Sequence, residues 1–341
     1  MIRVLIVEDS AVVSTLLMAI INNEQDLEVI GQAKTGAEAI EMSEALNPDL
    51  ITMDIRMPVM DGLTAIRKIM STRPKPIVVI SSNIDDELQI SFKAIDEGAL
   101  AVLEKPCGVN DAQFSSMQRE ITNTIRCMAE VKLIKRRMLQ PPVLTEQVTM
   151  LEKGYQIVVI GSSTGGPQAL KTILSGFPEN FSMPIVITQH ISTGFVEGLT
   201  EWLNESCLLQ VKIATDGEKL MAGVVYFAPD HAHCMIKKRG ADYYIELCKE
   251  QGGDYFMPSV ARLFQSVADH CLGNAIGIIL SGMGNDGAAA LLAMRQRECL
   301  TIAQDEQSSI IFGMPKAAIE LEAAMRILPV DEISMNLLTS E

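Results

Sequence analysis

Positive charge is scarce in this chain. Its 341 residues hold 28 lysines and arginines against 43 aspartates and glutamates, a net charge of -15. That balance argues against nucleic acid and anionic membrane as main partners. The second half also has no basic recognition helix. Long apolar runs are missing: nothing approaches the roughly 20 residues of a bilayer span, so no direct membrane insertion is expected. Met1 to Val7 lacks the basic start and long apolar centre of a secretory signal. The seven cysteines are scattered singly, without C-x-x-C. This excludes a disulfide frame or zinc site and fits free thiols in a reducing cytoplasm. Each cysteine reads as a small buried hydrophobe. Repeats and low-complexity tracts are absent.

What is present is apolar mass and order. Hydrophobic residues make up 48% of the chain, and its length has room for two domains. From Met1 to about residue 110, short β-rich runs alternate with helical spacing. Strands are expected at Ile2 to Val7, Leu27 to Ala33, Leu50 to Met53, Ile77 to Ile80 and Ala101 to Leu103. Helices are expected between and after them, the first capped by Ser10. Such alternation gives a doubly wound parallel sheet of the flavodoxin-like kind.

Sites in such sheets gather at the carboxyl ends of the strands. Here those ends carry Glu8, Asp9, Asp54, Ser81 and Lys105. Three carboxylates at one edge repel one another unless a hard divalent cation such as Mg²⁺ neutralises them. A lysine and a hydroxyl beside them suit a phosphoryl group, and Asp54 is placed to carry it as an aspartyl phosphate. Glu8-Asp9, D-I-R-M-P-V-M-D-G (Asp54 to Gly62), Ser81 and Lys105-Pro106 resemble a two-component receiver domain. The resemblance implies a histidine kinase as phosphoryl donor, with Asp9, Asp54 and the Met57 backbone as Mg²⁺ ligands. Receivers usually place a switching aromatic three residues before the lysine; here stands Val102, which cannot swing in the same way.

Residues 111–153 read as a connector. Phe114 to Leu139 has the spacing of an amphipathic helix with a basic end at Lys135-Arg136-Arg137. Pro141-Pro142 ends it and makes a hinge.

The second domain, 154–341, opens on Q-I-V-V-I-G-S-S-T-G-G-P-Q-A-L. A buried strand runs into a tight turn and a helix start. Gly161 and Gly165 frame Ser163 in a G-x-S-x-G turn, which exposes a serine near free backbone N–H groups. The turn lacks G-x-G-x-x-G and any following Gly-Lys-Ser/Thr, so dinucleotide and P-loop readings fit poorly. Further strands are expected at Pro184 to Thr188, Val211 to Ala214, Gly223 to Ala228, Asn274 to Leu280 and Leu300 to Ala303. Helices are expected at Phe256 to Ala268, Ala288 to Arg295 and Pro315 to Ala324. This is again an α/β parallel sheet.

Ser163, His190 and Asp286 each closely follow a buried strand, so all three converge on one sheet edge as nucleophile, base and acid. Of four histidines, His270 reads as a helix-end partner, while His231 and His233 read as solvated loop residues. Ser162 and Thr164 are rival hydroxyls and Asp305 a rival acid. Backbone N–H groups near Met283, with those at Thr164, are the oxyanion-hole candidates.

G-S-S-T-G-G, T-Q-H, A-P-x-x-x-H, P-S-V, S-G-M-G-N-D-G, A-Q-D-E and G-M-P resemble, in order, the chemotaxis protein-glutamate methylesterase family. The resemblance implies a Ser163, His190 and Asp286 triad, with Met283 in the oxyanion hole and no cofactor for the esterase. It implies demethylation of glutamyl methyl esters on methyl-accepting chemoreceptors, and deamidation of glutamines by the same chemistry. Met257, Ala261 and Arg297-Glu298-Cys299 depart from the family pattern off the triad and bear on substrate fit. The expectation is a cytoplasmic, phosphorylation-gated serine esterase whose unphosphorylated receiver covers the strand-end face. The rival readings are a response regulator with a non-catalytic binding module and an esterase of another substrate.

Overall fold

Short apolar runs that alternate with helices favour parallel pairing, because each crossover helix returns the chain to the same end of the sheet. The computed structural model describes residues 1–82, 85–106, 111–131, 154–249 and 256–338. The chain divides into two compact units, Met1–Met138 and Leu139–Glu341.

The first unit has strands β1 (Ile2–Val7), β2 (Leu27–Ala33), β3 (Leu50–Met53), β4 (Ile77–Ser81) and β5 (Ala101–Glu104). They pair in parallel in the order β2-β1-β3-β4-β5. The order reverses beside β1 and β3, so the residues after those strands meet at the crevice where such sheets hold ligands. Around the sheet lie α1 (Ala11–Asn22), α2 (Gly36–Leu46), α3 (Gly62–Thr72), α4 (Asp85–Asp96) and α5 (Asp111–Ala129). Ser10, Thr35 and Asp61 cap α1, α2 and α3 through their side-chain oxygens. Arg126 bonds Glu24 at 2.6 Å and Asp26 at 2.7 Å, tying α5 to the turn after α1. The helix expected from Phe114 to Leu139 thus belongs to this unit over its described part. The Pro141-Pro142 hinge lies outside the described residues.

The second unit has one seven-stranded sheet in the order β14-β13-β12-β6-β7-β9-β8. Its strands are β6 (Ile157–Ser162), β7 (Ile185–Gln189), β8 (Gln210–Ile213), β9 (Val224–Phe227), β12 (Ala275–Ile279), β13 (Leu300–Gln304) and β14 (Arg326–Leu328). All its pairings are parallel. Helices α8 (Val260–His270), α9 (Ala288–Gln296) and α10 (Met314–Glu320) pack in one row; α6 (Gly166–Leu174) packs between α7 (Val196–Ser206) and α11 (Val330–Leu338). Val260, Leu263, Phe264 and Val267 give α8 a fully buried face at helical spacing. No helix among the described residues is long and apolar enough to cross a membrane.

Several features depart from expectation, among them β14 and α11, where neither a strand nor a helix is expected. An antiparallel hairpin, β10 (His233–Arg239) and β11 (Asp242–Cys248), packs on α8. The run Lys237-Lys238-Arg239 hides its alternation, although Gly240-Ala241 is a two-residue turn of hairpin type. Helix α7 is additional to the expected helices, and its Leu199, Trp202 and Leu203 bury one face at helical spacing. Helix α8 starts at Val260, not Phe256. Pro258 disfavours helical backbone before it, and Ser259 is the N-cap.

Candidate functional site

In the first unit the acidic residues after β1 and β3 meet. Carboxylate oxygens of Glu8, Asp9 and Asp54 lie within 4.8 Å of one another. Lys105 Nζ sits 2.8 Å from Asp54 and 3.1 Å from Glu8. Burial, and then the Asp54 charge, push the Glu8 carboxyl up to about 7 despite Lys105. Burial likewise raises the Asp54 carboxyl against the pull of Lys105. Burial would lower the Lys105 ammonium, but Asp54 and Glu8 hold it above its ordinary value. One half-buried lysine therefore does not neutralise the cluster. An all-oxygen donor set with surplus negative charge fits a hard divalent cation such as Mg²⁺. Met57 lies half-buried in the loop between β3 and α3. Ser81 ends β4, 1% exposed, and accepts a hydrogen bond from Ser91 at 2.7 Å. Val102 is half-buried on β5 and packs on the core.

In the second unit, β7, β6 and β12 are neighbours, and Ser163, His190 and Asp286 follow them. Register pairs Ser162 with Gln189, so Ser163 and His190 are the next residues past two aligned strand ends. His190 donates its backbone N–H to Ser162 at 2.9 Å. Ser163 donates its own to Ser281 at 3.0 Å, which ties the β6 turn to the β12 loop. Gly165, at φ +81, then turns the chain into α6 as its N-cap.

His190 Nε2 lies 2.8 Å from Asp286 Oδ2. An ionised carboxylate only accepts, so Nε2 carries the proton and Nδ1 presents the lone pair. Nδ1 is buried and has no hydrogen-bond partner among the described residues. The Ser163 hydroxyl, 8% exposed as a residue, likewise makes no hydrogen bond among the described residues. A nucleophile and a base nitrogen at adjacent strand ends are both left available, as in a site awaiting substrate. Phe256 stacks on the imidazole, with ring centres 4.2 Å apart and planes 14° from parallel.

Asp286 is held at the start of α8. It accepts from the Val260 N–H at 2.7 Å, the Ala261 N–H at 3.0 Å and the Ser259 hydroxyl at 3.1 Å. Burial pushes its pKa up, but His190, and then the Val260 and Ala261 N–H groups, outweigh burial and hold it below the ordinary carboxylate value. Asp305, the rival acid, instead caps its own turn through the Ser308 N–H at 3.0 Å and hydroxyl at 2.6 Å.

The histidine reading needs one correction. His231 is exposed and pairs with Asp230, and His270 ends α8. His233 is not a solvated loop residue: it begins β10, is 1% exposed, and accepts from the Ser259 N–H at 3.2 Å. The overlooked hairpin buries it.

The backbone N–H groups of Thr164 and Met283 donate to no acceptor among the described residues. Both lie in the loops flanking Ser163. Gly282 lets those loops close: a Cβ there would stand 2.6 Å from Ser163 Cβ. Ser281 Oγ bonds the Thr164 carbonyl at 2.9 Å and accepts from the Ile311 N–H at 2.9 Å. Gln304 accepts from the Ser281 N–H at 2.8 Å. Sequence reasoning missed these supports, and missed Gln189 and Ser259. Each is a polar residue at a strand end or before a helix, which is the signal that was available.

Comparison with known proteins agrees with this division. The CheB methylesterase family model matches residues 158–337, and the response regulator receiver domain model matches residues 4–113. A protein-glutamate methylesterase/protein-glutamine glutaminase of Methanospirillum hungatei is 43% identical over 98% of this chain and 97% of its own. One from Geobacter metallireducens is 42% identical, also over 98% and 97%. The Thermotoga maritima CheB methylesterase catalytic domain superposes with a TM-score of 0.53 at 36% identity, over 54% of this chain and 97% of that domain.

Proposed function

This chain belongs to the CheB methylesterase family with a receiver domain in front, and we propose that it is a phosphorylation-regulated serine hydrolase of methyl-accepting chemoreceptors. It demethylates glutamyl methyl esters and deamidates glutamines. The observation that carries this reading is the His190–Asp286 pair at 2.8 Å, beside an unencumbered Ser163 on adjoining strand ends.

The chemistry runs on the chain's own groups. Ser163 Oγ attacks the γ-carbonyl carbon while His190 Nδ1 takes the hydroxyl proton. Asp286 steadies the imidazolium through Nε2. The N–H groups of Thr164 and Met283 receive the oxyanion. Collapse breaks the bond to the leaving oxygen or nitrogen, and His190 returns the proton, so methanol or ammonia departs. Water, deprotonated by His190, attacks the acyl-serine; glutamate and free serine result. No cofactor enters these steps.

In the receiver, Asp54 takes a phosphoryl group from a histidine kinase. Glu8, Asp9, Asp54 and the Met57 carbonyl would hold Mg²⁺, which supplies neutralising charge to the phosphoryl oxygens. Lys105 pairs with one phosphoryl oxygen and the Ser81 hydroxyl donates to another. The functional division is a receiver that includes α5, a connector after that helix and an esterase from residue 154 to 341, working in the cytoplasm. Half-buried Val102 carries no polar tip, so transmission runs through other residues than an aromatic switch.

Mass spectrometry of receptor treated with the purified protein tests the reading. Methyl-glutamate and glutamine sites should both become glutamate, and Ser163→Ala should abolish both conversions. Conversion undiminished in Ser163→Ala would overturn it.

A further inference from the structure

We infer that Gln189 is a positioning residue for acyl transfer, its side-chain amide fixing the nucleophile and the base relative to each other. This deepens the proposed serine hydrolase reading and rests on it.

Gln189 is the last residue of β7 and is 4% exposed. Its Nε2 donates to the Ser163 carbonyl at 2.8 Å and to the His190 carbonyl at 2.7 Å. Its Oε1 accepts from the Ser162 hydroxyl at 2.7 Å. The amide orientation is forced, because two carbonyl oxygens can be served only by the NH₂ end. Both amide hydrogens are used, so each bond is specific and little can slip.

The two carbonyls it holds belong to the nucleophile and the base themselves. Neither the Ser163 hydroxyl nor His190 Nδ1 has an anchor of its own among the described residues. Asp286 and Phe256 fix the imidazole ring, and the placing of the serine relative to it depends on the two peptide planes, which Gln189 bridges. The neighbouring chain makes room for this bridge. A Cβ on Gly166 would stand 2.0 Å from Gln189 Oε1, so any larger residue at the start of α6 would displace the amide. A displacement of about 1 Å at a reacting pair is enough to cost about 10²-fold in rate.

The Gln189 amide spends both hydrogens on main-chain carbonyls and its oxygen on the Ser162 hydroxyl, which leaves no donor for a substrate. Its loss should lower kcat and spare substrate binding. The test uses the full-length protein and methylated receptor membranes, with wild type, Gln189→Met, Gln189→Glu and Ser163→Ala. Methionine keeps the volume and loses both donors. Glutamate keeps the shape and sets oxygens against two carbonyls. Thermal melts establish that each variant is folded, and active-site phosphonylation of Ser163 gives a second rate that needs no receptor.

We expect both Gln189 variants to lose about 10²-fold in kcat, with KM within about twofold of wild type, and to lose phosphonylation rate in parallel. Wild-type kcat and phosphonylation in a folded Gln189→Met would overturn the inference. So would a change confined to KM. If wild type and Ser163→Ala hydrolyse receptor ester equally, the hydrolase reading itself fails, whatever the Gln189 variants do. Should Gln189→Met fail to fold, Gln189→Glu decides alone by the same kcat and phosphonylation rates.

Discussion

His190 turns its Nε2 to Asp286, 2.8 Å away, and keeps Nδ1 for the proton that moves. This assigns roles to the two ring nitrogens. In Asp286→Asn the amide can donate to Nε2 and so favours the tautomer that carries its proton on Nδ1. The lone pair is then on the wrong side. We expect kcat to fall by about 10³–10⁴-fold with KM little changed. Steady-state demethylation kinetics check this; a loss under tenfold would contradict the assignment.

Gly282 stands against the nucleophile. A Cβ there would meet Ser163 Cβ at 2.6 Å and Ser163 N at 3.1 Å. Gly282→Ala must push the serine turn or the Met283 loop aside. The expected result is a loss of about 10²-fold in kcat in a folded protein. Phosphonylation at the wild-type rate would show that the turn tolerates the methyl group.

Phosphorylation should depend on the carboxylate cluster of the first unit. Asp54→Asn removes the acceptor, and a chelator removes any divalent ion held by Glu8, Asp9 and Asp54. Both should abolish the increase in esterase rate caused by a small-molecule phosphoryl donor. An increase that survives in Asp54→Asn would place the phosphoryl group elsewhere.

Asp286 also links stability to acid. Its folded pKa lies below the ordinary value of 3.8. Its stabilising contribution is thus complete above that value and is lost as pH falls through the lower folded value. Urea unfolding of wild type and Asp286→Asn should differ fully above the ordinary value of 3.8 and converge only as the pH falls below it, through the lower folded value. A gap that stays constant as the pH falls would mean that the carboxylate is not held low by His190 and the Val260 and Ala261 N–H groups.

Phe264 on α8 is fully buried and lies near Gly161 and Gly287, the glycines of the β6 and β12 turns. Phe264→Ala should destabilise the second unit by about 3–5 kcal/mol. Chemical denaturation followed at Trp202, which also lies in this unit, measures it. A cost under 1 kcal/mol would mean that the site collapses around the gap.

Much of this was legible in the chain itself. In the first unit the runs at Leu27–Ala33, Gly36–Leu46 and Leu50–Met53 carry their own boundaries, because caps and turn residues flank each apolar segment. Strand-end logic brought Glu8, Asp9 and Asp54 to one place, and likewise His190 and Asp286, because parallel sheets put all their carboxyl ends on one side. The β10–β11 hairpin was not legible: its pattern is broken by lysines at an exposed tip, and with it went the burial of His233. Nor was Gln189, whose value lies in bonds to two main-chain carbonyls that periodicity does not encode. Ser259 was hidden by the proline beside it, which moves the start of α8 past Phe256 and frees Phe256 to stack on His190.

The most direct test is methanol release from methylated receptor membranes, by wild type and Ser163→Ala, each with and without a phosphoryl donor and Mg²⁺. The account predicts release by wild type, a higher rate with the donor, and none from Ser163→Ala under either condition. Equal release by wild type and Ser163→Ala would contradict it.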